Sequence, residues 1–395
     1  MNAETSIVPA TDSKTAAMAE HFVRPEPGSR RIGSFAGMRA VLRNAIFYQS
    51  GVQDSVMNTD DPMKASIFWL DGQAHRKRRA AIINFFTPKA IATRHLPIMK
   101  READRLVVAL GRKGRGRIDK ISFKLSVAVT AEIVGLTNSS IGGMDWRIEQ
   151  FGCGPARTSR SGIWKPLSWA ITNLMVGLIY FFDVRPAIAA RRKQRREDVI
   201  SRLLDEGRTV PEILIECLTF GLAGMTTSRE FMVAAAWHLF DNLPLRERFM
   251  SGDDAEKMAI LMEILRLEPV AGMIYRRATE PVEDEVLDAV EEGTRLSLHI
   301  RAANLDEEVV GPEPLKLDPD RARRLKVNGA WMSFGDGAHF CPGWQVALTQ
   351  TRILLERIFE IPGIRLARAP DITWVPAMLQ MYELRNGILA CDPVK

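Results

Sequence analysis

Residues 334–343 read Phe-Gly-Asp-Gly-Ala-His-Phe-Cys-Pro-Gly. Three glycines, Gly335, Gly337 and Gly343, surround a single cysteine, Cys341. Glycine reaches positive φ and carries no Cβ, so a loop of this kind suits close backbone approach to something flat. The stretch that follows, Trp344–Phe359, has apolar residues at helical spacing, which predicts a helix with the cysteine just ahead of its N-terminus. Amide N–H groups and the helix dipole stabilise a thiolate at such a place. No second cysteine or histidine stands at metal-clip spacing, so the pattern is not that of a zinc site.

A lone thiolate so placed is suited to be the axial ligand of a haem iron, to which it donates electron density that favours O–O cleavage. The decapeptide resembles the haem-binding loop of the cytochrome P450 family, Phe-Gly-x-Gly-x-His-x-Cys-x-Gly, at every fixed position. The resemblance implies a mainly α fold with a small β portion, the cytochrome P450 fold. In it haem b (iron protoporphyrin IX) is clamped between a long central helix and this loop. It also implies that Cys341 ligates the iron, and that Phe334, Gly335 and Gly343 belong to the cofactor-binding loop.

The chain has 395 residues, 46% of them hydrophobic, enough for a large core. No Gly/Ser or Pro-rich linker and no internal repeat interrupts it. The expected organisation is a flexible N-terminal segment, 1–32, and one haem domain, 33–395. Four scattered cysteines (Cys153, Cys217, Cys341, Cys391) do not make a disulfide framework and point to a reducing compartment. The N-terminus is polar, without a signal core or anchor helix, so a soluble, cytoplasmic protein with no permanent membrane anchor is expected. Net charge is +6, concentrated in the runs 76–79 (RKRR), 191–196 (RRKQRR) and 321–326 (RARRLK). No aromatic interleaving or reader motif accompanies these runs, which argues against nucleic-acid binding.

Along the chain, 33–44 reads as a short helix, and the strands that usually precede it in the family look curtailed. Residues 49–68 read as a loop over the substrate pocket. Asp71 and Gly72 open a helix, and further helices are expected over 98–110 and 121–134. The most apolar run, 166–182, is near the lower limit for crossing a bilayer. It is read as a lid helix over an apolar pocket, able to touch lipid. A long central helix is expected over 210–240, opened by a capping box of Thr209 and Glu212. Gly221 and Gly224 lie inside it, each costing about 1 kcal/mol against alanine. Either a haem face or close helix packing would account for them.

By resemblance, Glu263 and Arg266, three apart on one helix, form the family's buried structural pair, with Arg321, Arg323, Arg324 or a backbone carbonyl as third partner. The haem propionates would be met by His75, Arg79, Arg276 and His339, with Arg276 preferred over Arg277. Relatives carry Ala-Gly-x-Asp/Glu-Thr in the central helix, where acid and alcohol deliver protons to dioxygen. Here the run is Ala223-Gly224-Met225-Thr226-Thr227, so Thr227 matches the alcohol while Thr226 replaces the acid. Thr227, Thr226 and Gly224 are the candidate oxygen-handling residues. A hydroxyl has no pKa near working pH, so protons would come through water, a substrate group or Glu230. Met225 is expected to face the pocket.

The implied activity is a monooxygenase that hydroxylates or epoxidises an apolar small molecule, such as a terpenoid, steroid, polyketide or fatty acid. A ferredoxin or similar donor would supply electrons, steered by the runs at 76–78 and 321–326, since the chain has no reductase domain; a monomer is the default. A peroxygenase or a haem enzyme that does not activate oxygen is the alternative. A catalytically silent partner protein is a third reading.

Overall fold

The central helix runs from Val210 to Asp241 in the computed structural model, which describes residues 11–50, 66–153, 165–375 and 379–392. It opens on the expected capping box, with the Thr209 amide and hydroxyl both donating to Glu212 Oε2 at 2.7 Å. It is α-helical over Val210–Phe220, widens to a π-helix over Gly221–Thr226 and resumes as α-helix over Thr227–Asp241. A π-turn misaligns the ordinary carbonyl ladder, so other donors step in. Thr226 Oγ1 donates to Leu222 O (2.6 Å), and Ser126 Oγ, from the neighbouring helix Ile118–Val134, donates to Met225 O (2.8 Å).

The two glycines of this segment serve packing. A Cβ on Gly224 would lie 3.0 Å from Thr130 Oγ1, and one on Gly221 would lie 3.3 Å from Ile148 Cδ1. Met225 is fully buried in the main hydrophobic core, so it does not face a pocket as expected from the sequence. Its apolar side chain follows the inward face of the π-turn. That core also takes in the helices Leu96–Lys113, Ile118–Val134, Asp254–Leu267 and Trp344–Phe359.

Four short strands form the sheet that borders the site: β1 (Arg30–Ile32), β2 (Phe47–Gln49), β3 (Met273–Ala278) and β4 (Arg295–His299). Their order is β1-β4-β3-β2, with β1 parallel to β4 and the other pairs antiparallel. The register sets Gln49 opposite Arg276. Of the strands read as curtailed ahead of the 33–44 helix, the described residues hold one, β1, three residues long.

The reading of 1–32 as a loose segment is corrected over its described part. Ala16–Phe22 is helical, and β1 pairs with β4. Ahead of the helix, the Lys14 and Thr15 amides and the Thr15 hydroxyl all donate to the buried carboxylate of Glu268, anchoring the segment to the core. Residues 1–10, and 51–65 of the loop expected over the pocket, lie outside the described residues.

The apolar run forms a helix, Lys165–Ile179, continued by a π-turn, Tyr180–Val184, and a further helix, Arg185–Lys193. Trp169–Lys193 and Val210–Asp241 are both long and apolar enough to cross a membrane. The second is the core helix just described. The first buries Asp183 and Arg191 in ion pairs with Arg147 and Asp198, which ties it to the protein.

Candidate active site

Cys341 lies half-buried at the end of a tight loop whose path is set by local bonds. Its amide donates to Phe334 O at 2.9 Å, and the Gly335 amide donates to Met332 O at 2.9 Å. Gly335 and Gly337 adopt φ of 71° and 65°, the left-handed region that glycine enters without a Cβ penalty. Gly337 has a second reason: a Cβ there would come within 2.1 Å of Leu42 O. Gly343 is the N-cap residue of the helix Trp344–Phe359, which places the sulfur just before the helix as expected. The rings of Phe334, Phe340 and Trp344 pack edge-on or tilted with centroids 6.2–6.5 Å apart and brace the loop.

Burial pushes the Cys341 thiol up, while the Gly343 amide and the Arg79 guanidinium pull it down. The two stabilising groups are the ones a thiolate needs, and a metal ion displaces the proton of a coordinating thiol outright. Across the loop, the Phe86 ring lies beside Gly343 and stacks on Phe220 of the central helix at 6.2 Å. One turn on from Phe220, Ala223 is exposed and Leu222, Gly224 and Thr227 are half-buried, whereas Met225, Thr226 and Ser228 are buried. The central helix therefore presents an open face at its π-turn. Thr227 Oγ1 donates to Ala223 O within that face.

His75, Arg79, Arg276 and His339, chosen from separate parts of the sequence, are brought together. The His75 and His339 rings stack at 3.9 Å, and Arg79 donates to Phe340 O at 2.7 Å, inside the loop itself. Arg276 is buried and donates to Gln49 Oε1, whereas Arg277 is exposed, which separates the two candidates. Burial together with His339 and Arg79 lowers the His75 pKa to about 4. Burial pulls Arg276 down to about 10, with only Asp71 opposing. Among the described residues, two arginines and two imidazoles face a single carboxylate, an imbalance that suits a ligand bringing two carboxylates of its own. The haem propionates are such a ligand, so these residues fit the group that the loop implies.

Two members of this cluster escaped the sequence reading. Asp71 accepts from His339 Nε2 at 3.0 Å and from the Gln49 amide at 2.9 Å. Gln49 Nε2 bridges to His339 Nδ1 at 3.3 Å. Asp71 had a usable signal, being one turn before His75 on the same helix. Gln49 had none, because its place depends on the β2–β3 register.

The structural pair is formed and resolved. Arg266 donates to both oxygens of Glu263 at 2.8 and 2.7 Å, and Arg321 completes the group at 3.3 Å. All three are almost fully buried. Arg266 and Arg321 spend their remaining N–H groups on the carbonyls of Asn304, Val310, Pro312, Glu313, Pro314 and Lys316. Buried charges persist when every hydrogen-bonding position is filled in this way.

Three expectations change. Glu230 does not face the π-turn: it is fully buried and bound by Arg229, Arg385 and the Leu384 amide, so it has no proton route to Thr226. Arg78 is no part of a surface basic run, being buried in an ion pair with Glu216, whose carboxylate also accepts from the Ile67 amide. Arg321 likewise leaves its run for the core, while Arg76, Lys77, Arg323, Arg324 and Lys326 stay exposed.

A family model described as Cytochrome P450 matches residues 254–361. The erythromycin C-12 hydroxylase of Saccharopolyspora erythraea is 27% identical over 335 residues, covering 82% of this chain and 79% of that protein. The steroid C26-monooxygenase of Mycolicibacterium smegmatis is 25% identical over 326 residues, covering 80% and 77%. Among solved structures, substrate-free CYP109E1 from Bacillus megaterium superposes with a TM-score of 0.77 at 18% identity, covering 96% of this chain and 99% of that one. With the cysteine loop, the buried Glu263–Arg266–Arg321 group and the cationic cluster in place, the chain belongs to the cytochrome P450 family, as a monooxygenase of that family.

Proposed function

We propose that this chain binds haem b and oxidises an apolar small molecule, by hydroxylation or epoxidation, with electrons from a separate ferredoxin-type protein in the cytoplasm. The observation that carries the reading is Cys341 in its glycine-bent loop, backed by Arg79 and the helix N-terminus. Cys341 would hold the iron, and His75, Arg79, Arg276 and His339 would hold the propionates. When bound, the group supplies dioxygen activation, with one oxygen atom entering the substrate and the other leaving as water. The chain's own part is to anchor the sulfur, orient polar atoms on the open face of the central helix and keep the pocket apolar. Thr227 is the residue there with a hydroxyl to order a water. The substrate class is supported by relatives named for an erythromycin and for a steroid: a bulky, largely apolar molecule. The exposed cations Arg76, Lys77 and Lys326 suit an acidic electron donor, whose docking weakens with salt.

The test is spectral. Reduced, carbon monoxide-treated protein gives the red-shifted Soret band of thiolate ligation, and steroid or macrocyclic compounds shift the ferric spin state on titration. Haem-loaded, folded protein without that band ends the proposal. One observation favours a second reading, that of a peroxygenase. The residue in the acid's place, Thr226, is buried with its hydroxyl donated to Leu222 O. Peroxide-driven turnover exceeding ferredoxin-driven turnover would select it.

A further inference from the structure

The Trp169–Lys193 helix carries an outer stripe that the described fold leaves uncovered. Its inner face is committed to the protein: Met175, Ile179, Val184, Ala187 and Ile188 are all buried. On the opposite face Ala170, Leu174 and Phe181 recur at helical spacing, with Leu174 58% and Phe181 56% exposed. Trp169, 71% exposed, stands at the stripe's beginning. Ile141 and Trp146 add to the stripe beside the π-turn, held there by the Ser140 amide bonding to Phe182 O (2.9 Å) and by Arg147 pairing with Asp183. Five of the twelve large apolar side chains exposed among the described residues thus gather here. Past the π-turn the same stripe turns cationic, with Arg185, Arg192 and Lys193 exposed and Arg196 just beyond. None of these four has an ion-pair partner among the described residues. Of the nearby acids, Asp183 and Asp198 are buried in pairs, Glu197 is taken by Arg94 and Asp205 by Arg195.

We propose that this stripe docks on an anionic lipid bilayer, its apolar end seated below the headgroups and its cationic end on the phosphates. At about 37 Å the helix is long enough to cross a bilayer, but its inner face is tied to the protein, so it lies along the interface instead. Crossing would strip the buried ion pairs from its inner face. A second copy of the chain fits less well. Parallel stripes would set cation against cation, and antiparallel stripes would set cations against apolar side chains. An anionic membrane surface offers each half its complement at the right depth.

Haem-loaded enzyme is sedimented with vesicles of phosphatidylcholine alone and of phosphatidylcholine with roughly one-third phosphatidylglycerol. It is expected to pellet with the anionic vesicles, less so in high salt, and to stay in solution with the neutral ones. Leu174→Glu with Phe181→Glu should weaken binding about tenfold or more. Arg192→Glu with Lys193→Glu should weaken it about fivefold or more per residue and abolish the salt dependence. The second pair lies outside the core and keeps the test open if the first impairs folding. Unchanged carbon monoxide spectra show that the haem site is intact in each variant. Wild-type enzyme that ignores anionic vesicles, variants that bind as tightly as wild type, or a wild-type dimer that Leu174→Glu splits would each overturn the proposal.

Discussion

The two sides of the site are built on opposite plans. On the sulfur side, the cysteine loop and the Glu263–Arg266–Arg321 group are held by bonds that fill nearly every donor and acceptor, and two glycines adopt conformations other residues resist. On the oxygen side, the central helix departs from a regular ladder. It opens a π-turn, patches the freed carbonyls with hydroxyls, and carries Thr226 where relatives carry an acid. The loop side is fixed by backbone geometry and buried charge, whereas the open face of the central helix is built from small polar groups. Glu230 and Glu216 make the same point. Both are buried acids on the central helix, and both are spent on arginines, Glu230 on Arg229 and Arg385, Glu216 on Arg78.

That contrast can be broken most decisively at Cys341. Cys341→Ala should abolish the red-shifted carbon monoxide band and monooxygenase turnover altogether, read by absorption and product formation. Next comes Glu263→Ala, which leaves Arg266 and Arg321 as uncompensated buried charges. It should cost about 3–5 kcal/mol in urea unfolding and sharply reduce haem-loaded protein. Glu268 tests the fold outside the site. Burial would raise its carboxyl pKa, but the hydrogen bond from His238, with Arg301 and Thr15, outweighs burial and holds it near 2, against an ordinary 4.5. Because the folded pKa is depressed, its stabilisation is present above pH 4.5 and lost as pH falls toward 2. Glu268→Gln should therefore lower stability by about 3 kcal/mol at pH 7 and by about half that at pH 3. The smallest effects belong to the oxygen side. Thr226→Ala removes a hydroxyl bonded to its own helix and should cost about 1 kcal/mol with oxidation still coupled. Thr227→Ala, on the open face, should leave stability similar but raise peroxide release per electron consumed. A Thr226 variant that uncouples as strongly as the Thr227 variant would erase the distinction between them.

Much of the site was legible because its residues carry their chemistry locally. A glycine-bracketed cysteine before a helix, a Glu and an Arg one turn apart, and a capped central helix are each visible in a few consecutive residues. The Gly337 turn needs no distant partner to be anticipated, only the absence of a Cβ. What stayed hidden depended on chain segments far apart in sequence. Gln49 enters the cationic cluster through a strand register, and the packing role of Gly224 depends on where Thr130 sits. Arg78 looks like surface charge until the fold buries it against Glu216, and only the fold singles out Arg321 from Arg323 and Arg324 as the partner of Glu263. The sequence alone determined the family, the glycine-bent cysteine loop and the helical frame, since these follow from local geometry and periodicity. Only the tertiary structure decided which charges are solvated and which are paired in the core, because burial and ion pairing belong to neighbours that the chain brings together only on folding.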